Sequence, residues 1–122
     1  MARVGDVVVS DSGLKWVLLE LIGNAHGGQD ARLIRRSGDG RYTGLLKGAS
    51  GLIVTESPSF ESGEPVTADG FKGSFMSLDG DVARVMLAPR RRQLAGGGFV
   101  EIAAGVARIS LALLVLENRS IA

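Results

Sequence analysis

The sequence predicts an all-β protein of two units with about five short strands each, and three observations carry that expectation. Short β-branched or alternating apolar runs recur, separated by turn residues about every 8 to 12 positions. Glycine supplies 18 of 122 residues and proline three; with no low-complexity tract, this excess reads as turn glycine. Residues 1–61 and 62–122 also read as two copies of one pattern. Gly5-Asp6-Val7-Val8 matches Gly63-Glu64-Pro65-Val66, and Ser12-Gly13-Leu14-Lys15 matches Asp69-Gly70-Phe71-Lys72. Ala31-Arg32-Leu33-Ile34 matches Ala83-Arg84-Val85-Met86, and Gly40-Arg41-Tyr42 matches Gly98-Phe99-Val100. A repeat constrains the whole architecture. Units of about 60 residues bury only marginal cores alone, so the halves are expected to share or dock them, in tandem or fused into one barrel or sandwich.

In the first half, Val7 to Ser10 is a β-branched run, and Leu14 to Leu21 is apolar on both alternating faces except at Lys15 and Glu20, which suits a central strand anchored by Trp16. After a loop over Gly23 to Gly28 come strands at Ala31 to Arg35, Arg41 to Leu46 and Leu52 to Thr55, with Ser37-Gly38-Asp39-Gly40 as a hairpin turn. The second half gives strands at Pro65 to Ala68, Phe71 to Leu78, Val82 to Ala88 and Phe99 to Ala103. Pro65 is tolerable at a strand start, where no ladder amide is needed. Val106 to Glu117 alternates as a strand, with Ile109, Leu111, Leu113 and Val115 on one face. As a helix the same segment is apolar nearly all round and suits burial against a sheet; strand is the expectation and helix the alternative.

Composition excludes several classes. The chain has no cysteine, so neither a disulfide framework nor a thiolate zinc site is available, and a reducing setting is the default. The longest nearly apolar run, Ile102 to Leu116, contains Arg108 and is shorter than the ~20 residues that cross a bilayer. With no apolar N-terminal signal, the sequence points to a soluble protein, cytoplasmic or carried in a virion. The formal charge of +1 is spread evenly, so any electrostatic function is local.

The stretch Gly63-Glu64-Pro65-Val66 through Asp69-Gly70-Phe71-Lys72-Gly73 to Asp81-Val82-Ala83-Arg84-Val85 resembles the strand–turn–strand core of SH3-like small barrels of the KOW and Tudor-like kind. Residues 5–34 resemble it more loosely, with Trp16 where the second copy has Gly73. The resemblance covers about half the chain and implies a binding module for nucleic acid or protein.

Few residues suggest chemistry. His26, the single histidine, lies in a glycine-rich loop with no orienting acid at a recognised spacing. Asp79-Gly80-Asp81 lacks the further ligands of an EF-hand and reads as a turn. Gly96-Gly97-Gly98 lacks the Gly-Lys-Ser/Thr of a P-loop and reads as a hairpin loop. Asn118-Arg119-Ser120 is formally a glycosylation sequon without a secretory signal. The basic clusters stand above this background. Arg35 and Arg36 follow the third strand of the first copy, and Arg90, Arg91 and Arg92 follow the third strand of the second. In a true repeat both clusters occupy the same hairpin end, where guanidinium groups contact phosphate or a partner's carboxylates. Tyr42 and Phe99 are the aromatic residues expected nearby.

No catalytic residue, metal site or cofactor is expected. The leading expectation is a non-catalytic assembly protein that contacts copies of itself or other proteins in a larger complex, such as a phage head, neck or tail. The alternatives are a KOW or Tudor-like nucleic-acid module and a small PemK/MazF-type endoribonuclease toxin, whose Arg-Pro strand is missing here. Neither a membrane partner nor a small-molecule substrate is evident.

Overall fold

A computed structural model describes residues 2–121 and shows a mostly β protein with one short C-terminal helix. Strands β1 (Val7–Val9), β2 (Lys15–Gly23), β3 (Gln29–Arg36), β4 (Tyr42–Gly48) and β5 (Ile53–Glu56) form one antiparallel sheet in the order β4-β3-β2-β1-β5. Strands β6 (Pro65–Ala68), β7 (Phe71–Asp79), β8 (Val82–Leu87) and β11 (Gly105–Ser110) form a second, in the order β11-β8-β7-β6. Between β8 and β11, β9 (Arg90–Gln93) and β10 (Phe99–Ile102) make a separate two-stranded hairpin, and helix α1 (Leu111–Asn118) ends the chain.

The two sheets open on the same backbone device. Gly5 N–H donates to the Leu18 carbonyl at 2.8 Å and Leu18 N–H returns a bond to the Asp6 carbonyl at 2.9 Å. Gly63, Phe75 and Glu64 repeat this pair of bonds at 2.8 and 2.9 Å. In both copies the acidic side chain reaches back to a backbone N–H three residues earlier, Asp6 to Arg3 and Glu64 to Glu61. A bulge follows at the same place, between Leu18 and Glu20 and between Phe75 and Ser77. The register sets Val8 opposite Trp16 and Val66 opposite Gly73, so Trp16 and Gly73 are equivalent positions. At Gly73 a Cβ would collide with the Met86 carbonyl oxygen and crowd Leu87 Cδ2 at 2.9 Å. Trp16 is instead buried, with its indole N–H donating to Ser10 Oγ at 3.3 Å.

Beyond the third strand the copies diverge, and one expected match is corrected. β3 turns directly into β4 through Ser37–Arg41, so the strand equivalent to β4 is β11, which pairs with β8. The expected match of Tyr42 with Val100 fails because β9 and β10 are an insertion between β8 and β11. The expected barrels are also not closed: among the described residues no ladder joins β4 to β5 or one sheet to the other. Helix α1 instead packs against both sheets.

The C-terminal segment divides between the two readings of Val106–Glu117. The alternating part through Ile109 is β11, and the unbroken apolar run Leu111–Leu116 is α1. Alternation stops discriminating once both faces are apolar, and a run rich in leucine and alanine then favours helix. Ser110 precedes the helix without a side-chain cap, and the Leu111 N–H is satisfied by the Asp81 carbonyl at 2.9 Å. Leu114 enters a core with Val66, Ala68, Phe75, Ala83, Val85 and Leu87 of the second sheet. Leu111, Ala112, Val115 and Leu116 pack with Val7 and Val17 of the first. The opposite face of the first sheet buries Val8, Trp16, Leu18, Ala31 and Leu33 under Ala49 and Leu52.

The helix also finishes the second sheet's edge. In the first sheet β5 pairs with the outer edge of β1. In the second, the Asn118 side chain takes that place beside β6. Its Oδ1 accepts from Thr67 N–H and its Nδ2 donates to the Thr67 carbonyl, both at 2.8 Å. The Glu117 carboxylate accepts from Asp69 and Gly70 N–H at 2.9 and 3.0 Å. Asn118 is therefore committed to the fold.

Gly5 and Gly63 separate backbone strain from packing. Both sit at positive φ, 92° and 89°, where a side chain costs about 1–2 kcal/mol. A Cβ at Gly63 meets nothing, whereas at Gly5 it falls 2.8 Å from Leu111 Cγ and Cδ2. Chemical denaturation should show Gly5→Ala losing more stability than Gly63→Ala, by about 1–3 kcal/mol for the overpacking; equal losses would mean that α1 does not bear on Gly5.

Candidate functional site

The five arginines singled out by the sequence do not act as two equivalent clusters. Leu18 pairs with Leu33, and its counterpart Phe75 pairs with Val85, so Leu87 and Ala88 correspond to Arg35 and Arg36. Arg90–Arg92, expected in a loop, are instead β9 of the inserted hairpin. Strand alternation then distributes the side chains. Arg35 lies over the Trp16 ring, 5.5 Å from its centroid, in a groove with Lys15, Ile34 and Arg119. Arg91 faces Glu101 across the hairpin and is bonded to it at 3.1 and 3.2 Å.

The other three meet. Arg36, Arg90 and Arg92 line one cleft of about 600 Å³ between the β3–β4 turn of the first half and β8, β9 and α1 of the second. Arg36 stands opposite Tyr42 in the ladder and lies 5.9 Å from its ring centroid. Arg90 lies 5.2 Å from the Phe71 ring centroid, and its Nε is buried with no hydrogen-bond partner among the described residues. Among the described residues none of these three guanidinium groups has a carboxylate within 4.0 Å. Leu87, Ala107, Ile109 and Leu113 supply apolar lining. Of the other charged lining groups, Arg108 is bonded to Asp79 at 2.9 Å and Glu117 to the Asp69–Gly70 turn.

Sequence reasoning found the three arginines and Tyr42 but not Phe71 or Leu113. Phe99, the other expected aromatic, is on the hairpin and exposed. Phe71 had a visible signal, since it follows the Asp69-Gly70 turn and so must stand beside the strand edge that the turn forms. Leu113 had none, because its place depends on the strand-to-helix switch at Ser110. His26 is exposed in a turn whose N–H groups are capped by the Asn24 side chain. Gly96–Gly98 lie in the turn joining β9 to β10, closed by Leu94 N–H on the Gly98 carbonyl at 3.1 Å. Asp79 and Asp81 flank the β7–β8 turn, and among the described residues no three His, Cys, Asp or Glu side chains gather to hold a metal ion. No family model matches the chain, and no curated protein or solved structure matches it at a significant level.

Behind the Trp16 groove, Arg119 clips the inter-sheet segment to the helix end. Its guanidinium donates to the Ser59 carbonyl and to Glu64 Oε2, both at 2.7 Å, and lies 4.2 Å from the Phe60 ring centroid. Phe60 stacks on Phe75 with centroids 5.5 Å apart. The Arg119 hydrogen bond, helped by the Glu61 backbone N–H, holds the Glu64 carboxyl below the usual carboxylate range. A carboxylate with a lowered folded pKa stabilises above its unfolded value of about 4.3 and loses that contribution as pH falls through the folded pKa. Melting temperatures of wild type and Glu64→Gln should therefore differ at neutral pH and converge in acid; a gap independent of pH would show that the Glu64 charge contributes nothing.

Proposed function

We propose that this chain is a non-catalytic assembly subunit whose inserted β9–β10 hairpin docks on a neighbouring protein in a larger complex. The observation that carries this reading is the hairpin itself. An isolated two-stranded ribbon is marginally stable in water, yet among the described residues β9 and β10 pair only with each other and join neither larger sheet. The hairpin displays Leu94, Phe99 and Val100 to solvent, with Phe99 63% exposed. The first copy has only a five-residue turn at the equivalent place, and an insertion that interrupts a repeat commonly marks a binding face.

Two other edges support the same reading. Strand β5 exposes Ile53 (65%) and Val54, and β4 exposes Leu45 and Leu46 on alternating faces. Apolar edge strands are templates for pairing with another chain. On the outward side of the second sheet Met86 faces Val106 across the ladder, both exposed.

Light scattering of concentrated, untagged protein should report a defined oligomer. Phe99→Asp with Val100→Asp should convert it to monomer while leaving the melting temperature within about 2 °C, since exposed substitutions change stability little. A wild-type protein that stays monomeric at high concentration contradicts the proposal.

A further inference from the structure

We propose that the cleft between the two halves is a phosphate-binding site in which Arg36, Arg90 and Arg92 hold the phosphate oxygens. The inference is independent of the assembly reading, because the cleft uses the base of the inserted strand and not the exposed tip.

Three features support it. The guanidinium groups come from different sheets and converge on one cavity large enough for a phosphate and the group that carries it. Among the described residues none of the three has a carboxylate within 4.0 Å, while Arg91, between Arg90 and Arg92 on the same strand, is paired with Glu101. Three unpaired guanidinium groups therefore share one cleft. Arg90 is the most informative of the three. It rests on Phe71 with its Nε shielded and unbonded, so it is partly dehydrated and uncompensated, a costly state that a bound anion relieves.

The chemistry favours phosphate over carboxylate. Guanidinium groups arriving from several directions suit a tetrahedral group with three or four oxygens, whereas one fork is enough for a planar carboxylate. The arrangement also disfavours duplex nucleic acid, which needs an extended basic surface. Here the three guanidinium groups are gathered in a single cleft. A free phosphate compound and the backbone of a single strand present the same group to the cleft. The apolar walls formed by Leu87, Ile109 and Leu113 receive what the phosphate carries.

Calorimetric titration at low salt with pyrophosphate, and fluorescence anisotropy with a labelled single-stranded oligothymidylate, test the site. Pyrophosphate should bind saturably at one site per chain. Losing one charge-assisted contact should weaken it about tenfold in Arg90→Gln and in Arg36→Gln. Arg91→Gln removes a charge from the same triplet but outside the cleft, and should stay within about twofold of wild type. Melting curves confirm folding, and Arg36, on the other sheet, keeps the test valid if Arg90→Gln is unstable. Oligothymidylate displaced by pyrophosphate assigns the site to a strand; pyrophosphate binding alone assigns it to a smaller compound. Absence of saturable binding by either probe, or an Arg91→Gln loss as large as that of Arg90→Gln, overturns the proposal.

Discussion

The structure depends on a shared apolar wedge. Helix α1 is two turns long and apolar nearly all round, which is affordable only if every side is covered. Its Leu114 completes the core of the second sheet, while Leu111, Ala112, Val115 and Leu116 cover the Val7–Val17 face of the first. Each sheet comes from about 60 residues, a size at which a core alone is marginal. One element buried against both reduces the deficit of each. Phe60, in the segment between the sheets, packs on the same two cores and is held there by Arg119 from just beyond the helix.

The wedge also explains why two similar halves end differently. The first sheet covers the outer edge of β1 with a strand, β5. The second protects the equivalent edge with two side chains from the helix, Asn118 on Thr67 and Glu117 on the Asp69–Gly70 turn. Both satisfy backbone groups that would otherwise be costly to leave unpaired beside a core. The second solution frees the chain from supplying another strand, and the inserted β9–β10 hairpin has no sheet to join. The cleft arises from the same asymmetry. It lies where the short β3–β4 turn of one copy faces the start of the hairpin in the other, with α1 as one wall.

Much of this was legible in the residues. Strand positions followed from β-branched runs and turn glycines, and the equivalence of Trp16 with Gly73 emerged from the repeat and holds in the ladder register. The hairpin was half legible. Phe99–Ala103 reads as a strand, but Arg90–Gln93 is four polar residues without alternation, and its pairing with β10 depends on the Gly96–Gly98 turn. The repeat drew attention to five arginines as two equivalent clusters; three of them, Arg36, Arg90 and Arg92, instead line one cleft between the copies and do not occupy matching positions within them. Alternation along β3 and β9 divides each cluster, which a list of basic residues cannot show. The switch from β11 to α1 was illegible because an unbroken apolar run fits both periodicities.

Native-state hydrogen exchange on Leu114→Ala tests the central claim most directly. Leu114 touches the second core, and its truncation should cost about 2–5 kcal/mol. If the wedge makes the halves one cooperative unit, the slowest amides of both sheets, those of Leu18 and Leu33 as well as Phe75 and Val85, should lose protection by the same amount. Loss confined to Phe75, Val85 and their neighbours, with the first sheet unchanged, would contradict the account and leave two sheets that are adjacent but independent.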